Sequence, residues 1–256
     1  MYSIKFNDIN FSSNKKKILS RKTIILFYGI GCSSSDFSFL LRYRTHKYQL
    51  IIPELPGHNN FYYLKKQNLK KFAETLVLFL KKKGIYDIIY FGHSVGGILP
   101  IIIEKKIIRH SKVLRKFINY EGNLTSLDTG TITKKTASYK KDNFQDKFKN
   151  LVMICQKSDS KGIRLWAKSL KKTDSNAFYF LSKETVKLSK TKYLLNPFRS
   201  IFKRKVFVSG SKTKFYFSEL FFGSIRYKIN YCGHFSFFEN SYEFLKIFSK
   251  LINGRI

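Results

Sequence analysis

Acidic residues are what this chain most lacks. Sixteen Asp and Glu stand against 49 Lys and Arg, a formal net charge of +33 over 256 residues. Cysteine is nearly as scarce: Cys32, Cys155 and Cys232 are an odd number, far apart, with no C-x-x-C pair. That spacing excludes a disulfide framework and a thiolate zinc site. No two histidines sit at i and i+4 on one helix face with an acid beside them, so no metal site is expected either. No stretch reaches the roughly 18 to 20 unbroken apolar residues that a membrane span needs. The opening MYSIKFNDINF lacks the charged, apolar, then small-residue order of a signal peptide, and a soluble cytoplasmic protein is expected. Disorder is excluded by the other side of the composition: 43% of residues are hydrophobic, enough to bury a core despite the charge. The length suits one large α/β domain or at most two small ones.

The basic excess is mostly lysine, 39 Lys to 10 Arg, with Ile, Asn, Phe and Tyr abundant and only 4 Ala. AT-rich codons account for much of that bias. The clusters, among them Lys15 to Lys17, Lys81 to Lys83 and Lys203 to Lys205, are scattered along the chain. A nucleic-acid footprint concentrates on one element and carries a reading motif, and none is present. A solvated basic shell is the reading; an acidic carrier protein is the partner class the charge would suit.

Short apolar runs alternate with longer helical patterns, the mark of βαβ units and a mainly parallel sheet. The runs are Thr23–Tyr28, Tyr48–Ile52, Ile88–Phe91, Phe117–Tyr120 and Lys205–Val208. Apolar residues at Leu69, Phe72, Ala73, Leu76, Val77 and Leu80 predict a helix over Leu69–Lys82, and a last helix is expected from about Ser241 to Leu251. Between the strands at Phe117–Tyr120 and Lys205–Val208, residues Leu124 to Pro197 are polar and Lys- and Ser-rich, with amphipathic helical stretches around the only tryptophan, Trp166. They read as a helical cap inserted into a single domain spanning residues 1–256. Its aromatics Phe144, Phe148, Trp166 and Phe178 are expected to line a substrate pocket.

The strongest chemical signal is Gly92-His93-Ser94-Val95-Gly96, a G-x-S-x-G placed after a buried strand and before a helix. A serine in so tight a turn is lifted above the sheet edge. Side chains two positions to either side would strike neighbouring backbone, which glycine avoids. Pro100 removes one hydrogen bond from the helix that follows.

With that motif, several others fall in the order of the α/β-hydrolase superfamily, which the chain resembles over nearly its whole length. Phe27-Tyr28-Gly29-Ile30-Gly31 resembles the His-Gly segment that supplies an oxyanion donor, with Tyr28 in place of histidine. Pro53-Glu54-Leu55-Pro56-Gly57-His58 resembles the D-x-P-G-H-G loop, with Glu54 in place of Asp. Gly233-His234-Phe235 with Glu239-Asn240 is similar to the segment carrying the catalytic histidine. The resemblance implies an α/β-hydrolase fold with a mainly parallel sheet, flanking helices and a cap, Ser94 as nucleophile, His234 as base, and the amides of Ile30 and Val95 as the oxyanion hole. It implies no cofactor.

The third triad member departs from the family's commonest pattern. Where an Asp usually follows the seventh strand, Ser209-Gly210-Ser211-Lys212-Thr213 puts Thr213. An alternative acid position, the end of the sixth strand, holds Glu121. Asp128 and Glu219 are its rivals. The expectation is therefore a Ser94–Glu121–His234 serine hydrolase, a carboxylesterase cleaving hydrophobic acyl esters or thioesters through an acyl-enzyme. Two alternatives are an ester hydrolase recruited to an acyl carrier protein by its basic surface, and a hydrolase-fold binding protein without activity.

Overall fold

The computed structural model describes residues 1–19, 22–42, 48–64, 67–107, 115–190, 193–213 and 224–254. Eight strands form one sheet: β1 (Tyr2–Phe6), β2 (Ile9–Ser13), β3 (Thr23–Phe27), β4 (Gln49–Pro53), β5 (Ile88–His93), β6 (Lys116–Tyr120), β7 (Arg204–Gly210) and β8 (Ile225–Ile229). Their spatial order is β1-β2-β4-β3-β5-β6-β7-β8, parallel from β4 through β8. The antiparallel hairpin β1–β2 pairs with β4 at one edge. The central strands β3, β4, β5 and β6 are buried along their whole length, as strands covered on both faces must be.

The helices are α1 (Ser38–Arg42), α2 (Leu69–Lys82), α3 (Ile98–Ile107), α4 (Thr131–Ser138), α5 (Phe144–Gln156), α6 (Lys161–Leu170), α7 (Ser175–Ser189), α8 (Leu195–Ile201), α9 (Ser236–Glu239) and α10 (Ser241–Asn253). On one face α2 and α8 pack against α3; on the other, Phe39 of α1 meets Phe244 of α10. The strand period of two divides the core between these layers. Tyr90 turns to the first layer, its hydroxyl on Glu104 of α3 at 2.6 Å and its ring against Phe202. Phe91, one residue on, turns to Phe244 and Phe248 of α10. A buried ion pair, Arg115 to Glu104 at 2.8 Å, ties β6's entry to α3.

The expected strands and helices are found, with β5 and β7 running two residues past their apolar runs and α10 to Asn253. The hairpin β1–β2 and strand β8 were not legible: β1 and β8 are half-exposed edge strands without a continuous apolar run. The insertion differs at one end. Pro197 falls inside α8, whose Phe198 packs on Phe117 of β6, so α8 belongs to the layer under the sheet. The helices outside that layer are α4 to α7, with α4 against α7 and α5 against α6 and α7. Pro100 sits in the first turn of α3, where a missing N–H matters little.

Successive strands extend the sheet from β3 toward β4, and then from β5 the opposite way, so strand order reverses between β3 and β5. The carboxyl ends of strands at such a reversal open a crevice. Gly29–Gly31 follows β3 there, and Ser94 follows β5.

Candidate active site

Ser94 has φ +53°, a left-handed conformation rare for a residue with a side chain and a local strain of about 1–2 kcal/mol. The flanking glycines explain how the turn survives. A Cβ on Gly92 would come within 2.7 Å of Gly97 Cα, and one on Gly96 within 2.4 Å of the Phe27 carbonyl oxygen. Ser94 starts a short 3-10 turn, Ser94–Gly97, that leads into α3. Ser94, His234, Glu121, Gly29, Ile30 and Trp166 all line one cavity of about 450 Å³.

Glu121, with φ +45° just past β6, is buried. One of its carboxylate oxygens accepts from the Gly210 amide at 2.8 Å, and the other from His234 Nδ1 at 2.5 Å. Nδ1 therefore carries the proton, which leaves Nε2 as the basic nitrogen. His234 is partly exposed in the cavity while its carboxylate partner is dry. Among the described residues no hydrogen bond joins Ser94 Oγ to His234; such bonds are often loose before substrate binds.

Asp128, one of the two rival acids, is engaged elsewhere. Asp128 accepts from the amides of Leu124 and Thr125 and so organises the loop after β6. Burial raises its carboxyl to about 7. Glu219 lies outside the described residues. Thr213, in the family's usual acid position, lines the cavity without charge.

The Ile30 amide has no hydrogen-bond partner among the described residues, whereas the next amide is taken: Gly31 N donates to His58 Nε2 at 3.0 Å. His58 Nδ1 donates to the Pro56 carbonyl at 2.9 Å, so the ring must be neutral. Burial lowers its pKa to about 4. The Val95 amide lies at the start of the 3-10 turn, where N–H groups lack an intrahelical acceptor. Tyr28 and Glu54, the two departures from the family's loops, bond to each other at 2.5 Å, and the Tyr28 hydroxyl also accepts from Leu55 N. The pair fixes the loop after β3 to the loop after β4 from a fully buried position.

Three supports were not legible in the sequence. The His234 carbonyl accepts from Tyr120 Oη at 3.0 Å and His93 Nε2 at 3.1 Å, while the Tyr120 hydroxyl takes the Ser236 amide at 2.8 Å. His93 is stacked between Tyr120 and His234, and burial holds it far below the ordinary histidine range. Trp166 Nε1 donates to the Ile30 carbonyl at 3.1 Å, and its indole stacks on Phe235. Glu239 accepts from Gly233 N at 2.6 Å and lies against Gly162 of α6, where any Cβ would strike its carboxylate. The first two join segments more than a hundred residues apart, and the third sets α6 against the His234 loop.

The expected pocket is corrected in part. Trp166 lines it, but Phe144, Phe148 and Phe178 do not. They are buried among themselves and Tyr179, with ring centroids 5.1–6.1 Å apart. Helices α4 to α7 need an apolar interior of their own to hold together, and these rings fill it. The cavity wall comes instead from Leu127 to Lys134, Ile163 and Trp166. Cys32 is fully buried and burial pushes its thiol up, so it is a packing residue. No group of ligands fit for a metal ion occurs among the described residues, and no helix among them is long and apolar enough to cross a membrane.

No family model matches the sequence. A Mycoplasma genitalium protein carrying the provisional name esterase/lipase 2 is 28% identical over 113 residues, 43% of this chain and 41% of that protein. A Haemophilus influenzae protein with a provisional esterase/lipase name is 21% identical over 101 residues, 36% of this chain and 35% of its own. These alignments span well under half of either relative. Solved structures align over almost everything. An N-acyl homoserine lactonase superposes with a TM-score of 0.70 at 15% identity, covering 95% of this chain and 92% of that one. An esterase from Exiguobacterium antarcticum gives 0.72 at 14% identity, covering 96% of both. An α/β-hydrolase enzyme from a lagoon-sediment metagenome gives 0.61 at 17%, covering 98% and 97%. The chain has the α/β-hydrolase fold.

Proposed function

We propose that this α/β-hydrolase-fold chain is a serine hydrolase of carboxylic esters, working through an acyl-enzyme. The observation that carries the reading is the Glu121–His234 pair, one partner buried and the other open to the cavity that Ser94 shares. The esterase and lactonase names of the structural neighbours lend it support, since a lactone is a cyclic ester.

In this reading Ser94 Oγ attacks the acyl carbon as His234 Nε2 takes its proton. The Ile30 and Val95 amides receive the charge that develops on the carbonyl oxygen. Glu121 holds the imidazole in the right tautomer and balances its positive charge. Collapse breaks the bond to the alcohol, which leaves with the proton from His234. Water repeats the sequence on the acyl-enzyme and frees the acid. Helices α4 to α7 serve as a cap, with α6 presenting Trp166 and Ile163 as the acyl wall.

A fluorophosphonate probe on the purified protein tests the reading, because only an activated serine is labelled. Labelling at Ser94 is expected, and Ser94→Ala should abolish it and lower hydrolysis of p-nitrophenyl butyrate by roughly three orders of magnitude. Residual hydrolysis within about tenfold of the wild type would make the turn structural.

A further inference from the structure

Helix α6 lines two spaces. Ile163 and Trp166 border the cavity that holds Ser94, while Lys161, Arg164, Leu165 and Lys168 border a surface groove together with Gln156 of α5. At 3.6 residues per turn these two sets lie on opposite sides of one helix, about 10–12 Å across with its side chains. The groove is therefore the outer side of the helix whose inner side meets the acyl chain.

Three features set this groove apart from the general basic shell. Its cations at 161, 164 and 168 form one stripe about 10 Å long. Lys161 and Lys168 make no ion pair among the described residues. Arg164 is held through Nη1 alone, which donates to the carbonyls of Ser158 at 2.6 Å and Asp159 at 2.8 Å, so its charge is fixed in place without being neutralised. The groove between α2 and α3, in contrast, contains its own acid: Glu74 pairs with Lys106 at 2.8 Å. Apolar surface lies beside the stripe as well. Met153 and Ile154, 52% and 60% exposed, stand on α5 within one turn of Gln156.

A row of cations beside exposed apolar side chains complements an amphipathic helix with carboxylates at i, i+3 and i+7. The shape agrees: a furrow between two helices receives a rod, whereas an amphipathic face that lies on a bilayer inserts protruding apolar side chains. The Ser94 cavity is exposed at Leu127, Thr131 and Lys134, so an acyl chain on a flexible arm can enter while its carrier stays outside.

We infer that the α5–α6 groove docks an acidic helix of a carrier protein that presents an acyl thioester on a flexible pantetheine arm. This rests on the serine-hydrolase reading. In the step concerned the Ser94 Oγ–acyl bond forms, the acyl–sulfur bond breaks, and the His234 proton ends on the departing sulfur. Water then cleaves the acyl-enzyme and frees the acid.

The experiment compares hexanoyl-acyl carrier protein with hexanoyl-pantetheine, identical around the thioester. At about 20 mM NaCl the kcat/KM ratio of carrier over pantetheine should be roughly tenfold or more, and it should shrink at about 200 mM. Lys161→Glu/Lys168→Glu turns two attractions into repulsions at exposed positions and should cut the ratio roughly five- to tenfold. Lys16→Glu/Lys17→Glu changes the net charge equally at an exposed site after β2, and should leave the ratio within about twofold. A ratio near one, or equal losses in both double variants, overturns the docking site and leaves the hydrolase reading standing. Sedimentation with phosphatidylglycerol vesicles that depends on Lys161 and Lys168, without carrier preference, overturns it too. Binding of the hexanoyl carrier to the Ser94→Ala protein, read by fluorescence anisotropy, separates the two readings. Binding that Lys161→Glu/Lys168→Glu abolishes, with no fluorophosphonate labelling of wild-type Ser94, supports the groove and overturns the hydrolase reading alone.

Discussion

At the scale of single residues, the acid is where chemistry and position are most separable. Glu121 reaches His234 from the end of β6, while the position after β7 holds Thr213, which carries no charge. An amide at 121 would still accept from one donor but offer no charge to an imidazolium. Glu121→Gln should therefore lower kcat by roughly 10² to 10⁴, by analogy with loss of a triad acid elsewhere. Stopped-flow or steady-state assays with an activated ester measure this, and a kcat near wild type would move the acid role elsewhere. Asp128 is a poor substitute because its carboxylate is engaged with the amides of Leu124 and Thr125. Glu121 was legible from its place after an apolar run. The Tyr120 and His93 bonds that hold the His234 carbonyl were not, because 114 and 141 residues separate the partners.

At the scale of elements, α6 carries the most consequence. Its outer residues are basic and its inner face puts Trp166 against Ile30 and Phe235. One indole thus contributes an apolar wall through its ring and holds the loop after β3 through Nε1. The two roles separate by substitution. Trp166→Phe removes the hydrogen bond and keeps most of the wall, whereas Trp166→Ala removes both. Trp166→Ala should cost long-chain esters about 1–3 kcal/mol in kcat/KM relative to the acetate ester, since only a chain long enough to touch the ring can lose that contact. Trp166→Phe should shift chain preference far less. A chain-length series of p-nitrophenyl esters reads the difference, and equal losses at every length in both variants would make Trp166 a packing residue only. The amphipathic spacing of α6 was plain in the sequence. That Phe144, Phe148 and Phe178 face inward was not, because an aromatic stripe is the same pattern whether it meets a substrate or a neighbouring helix.

At the scale of the whole molecule, charge and buried histidines set the response to solvent. With 49 basic and 16 acidic side chains, self-repulsion acts against the compact state. Raising NaCl from about 20 to 200 mM shortens the Debye length severalfold, so the melting temperature should rise. A fall over that range would mean that surface ion pairs outweigh the repulsion. Acid acts through the buried His58 and His93, both lowered by burial, and His58 is the one whose window is defined. Its neutral form is required by the bond from Gly31 N, and its folded pKa near 4 lies below the ordinary 6.5. The unfolded chain therefore binds the proton first as pH falls. The stability carried by neutral His58 is present above pH 6.5 and lost on descending toward 4, by up to about 3 kcal/mol. Asp36, raised by burial to about 6, acts in the opposite sense. Only the comparison with His58→Gln isolates the histidine. Urea unfolding from pH 7 to 4 should show a shallower loss in that variant, and parallel slopes would refute the assignment.

The sequence alone determined the parallel sheet, the order of its central strands and helices, and the elbow serine. Each of these is local: an apolar run of strand length, a helical period, or glycines flanking a tight turn all act within a few residues. The sequence also narrowed the acid to a short set and marked Tyr28 and Glu54 as departures. Only the tertiary structure decided that those two departures answer each other, that Glu121 meets His234, and that the cavity is walled by residues 127–134, Ile163 and Trp166 while Phe144, Phe148 and Phe178 are not part of it. Those outcomes depend on strands brought side by side from distant segments. Pairing across such distances is fixed by the packing of the whole core, and no window of the chain carries it.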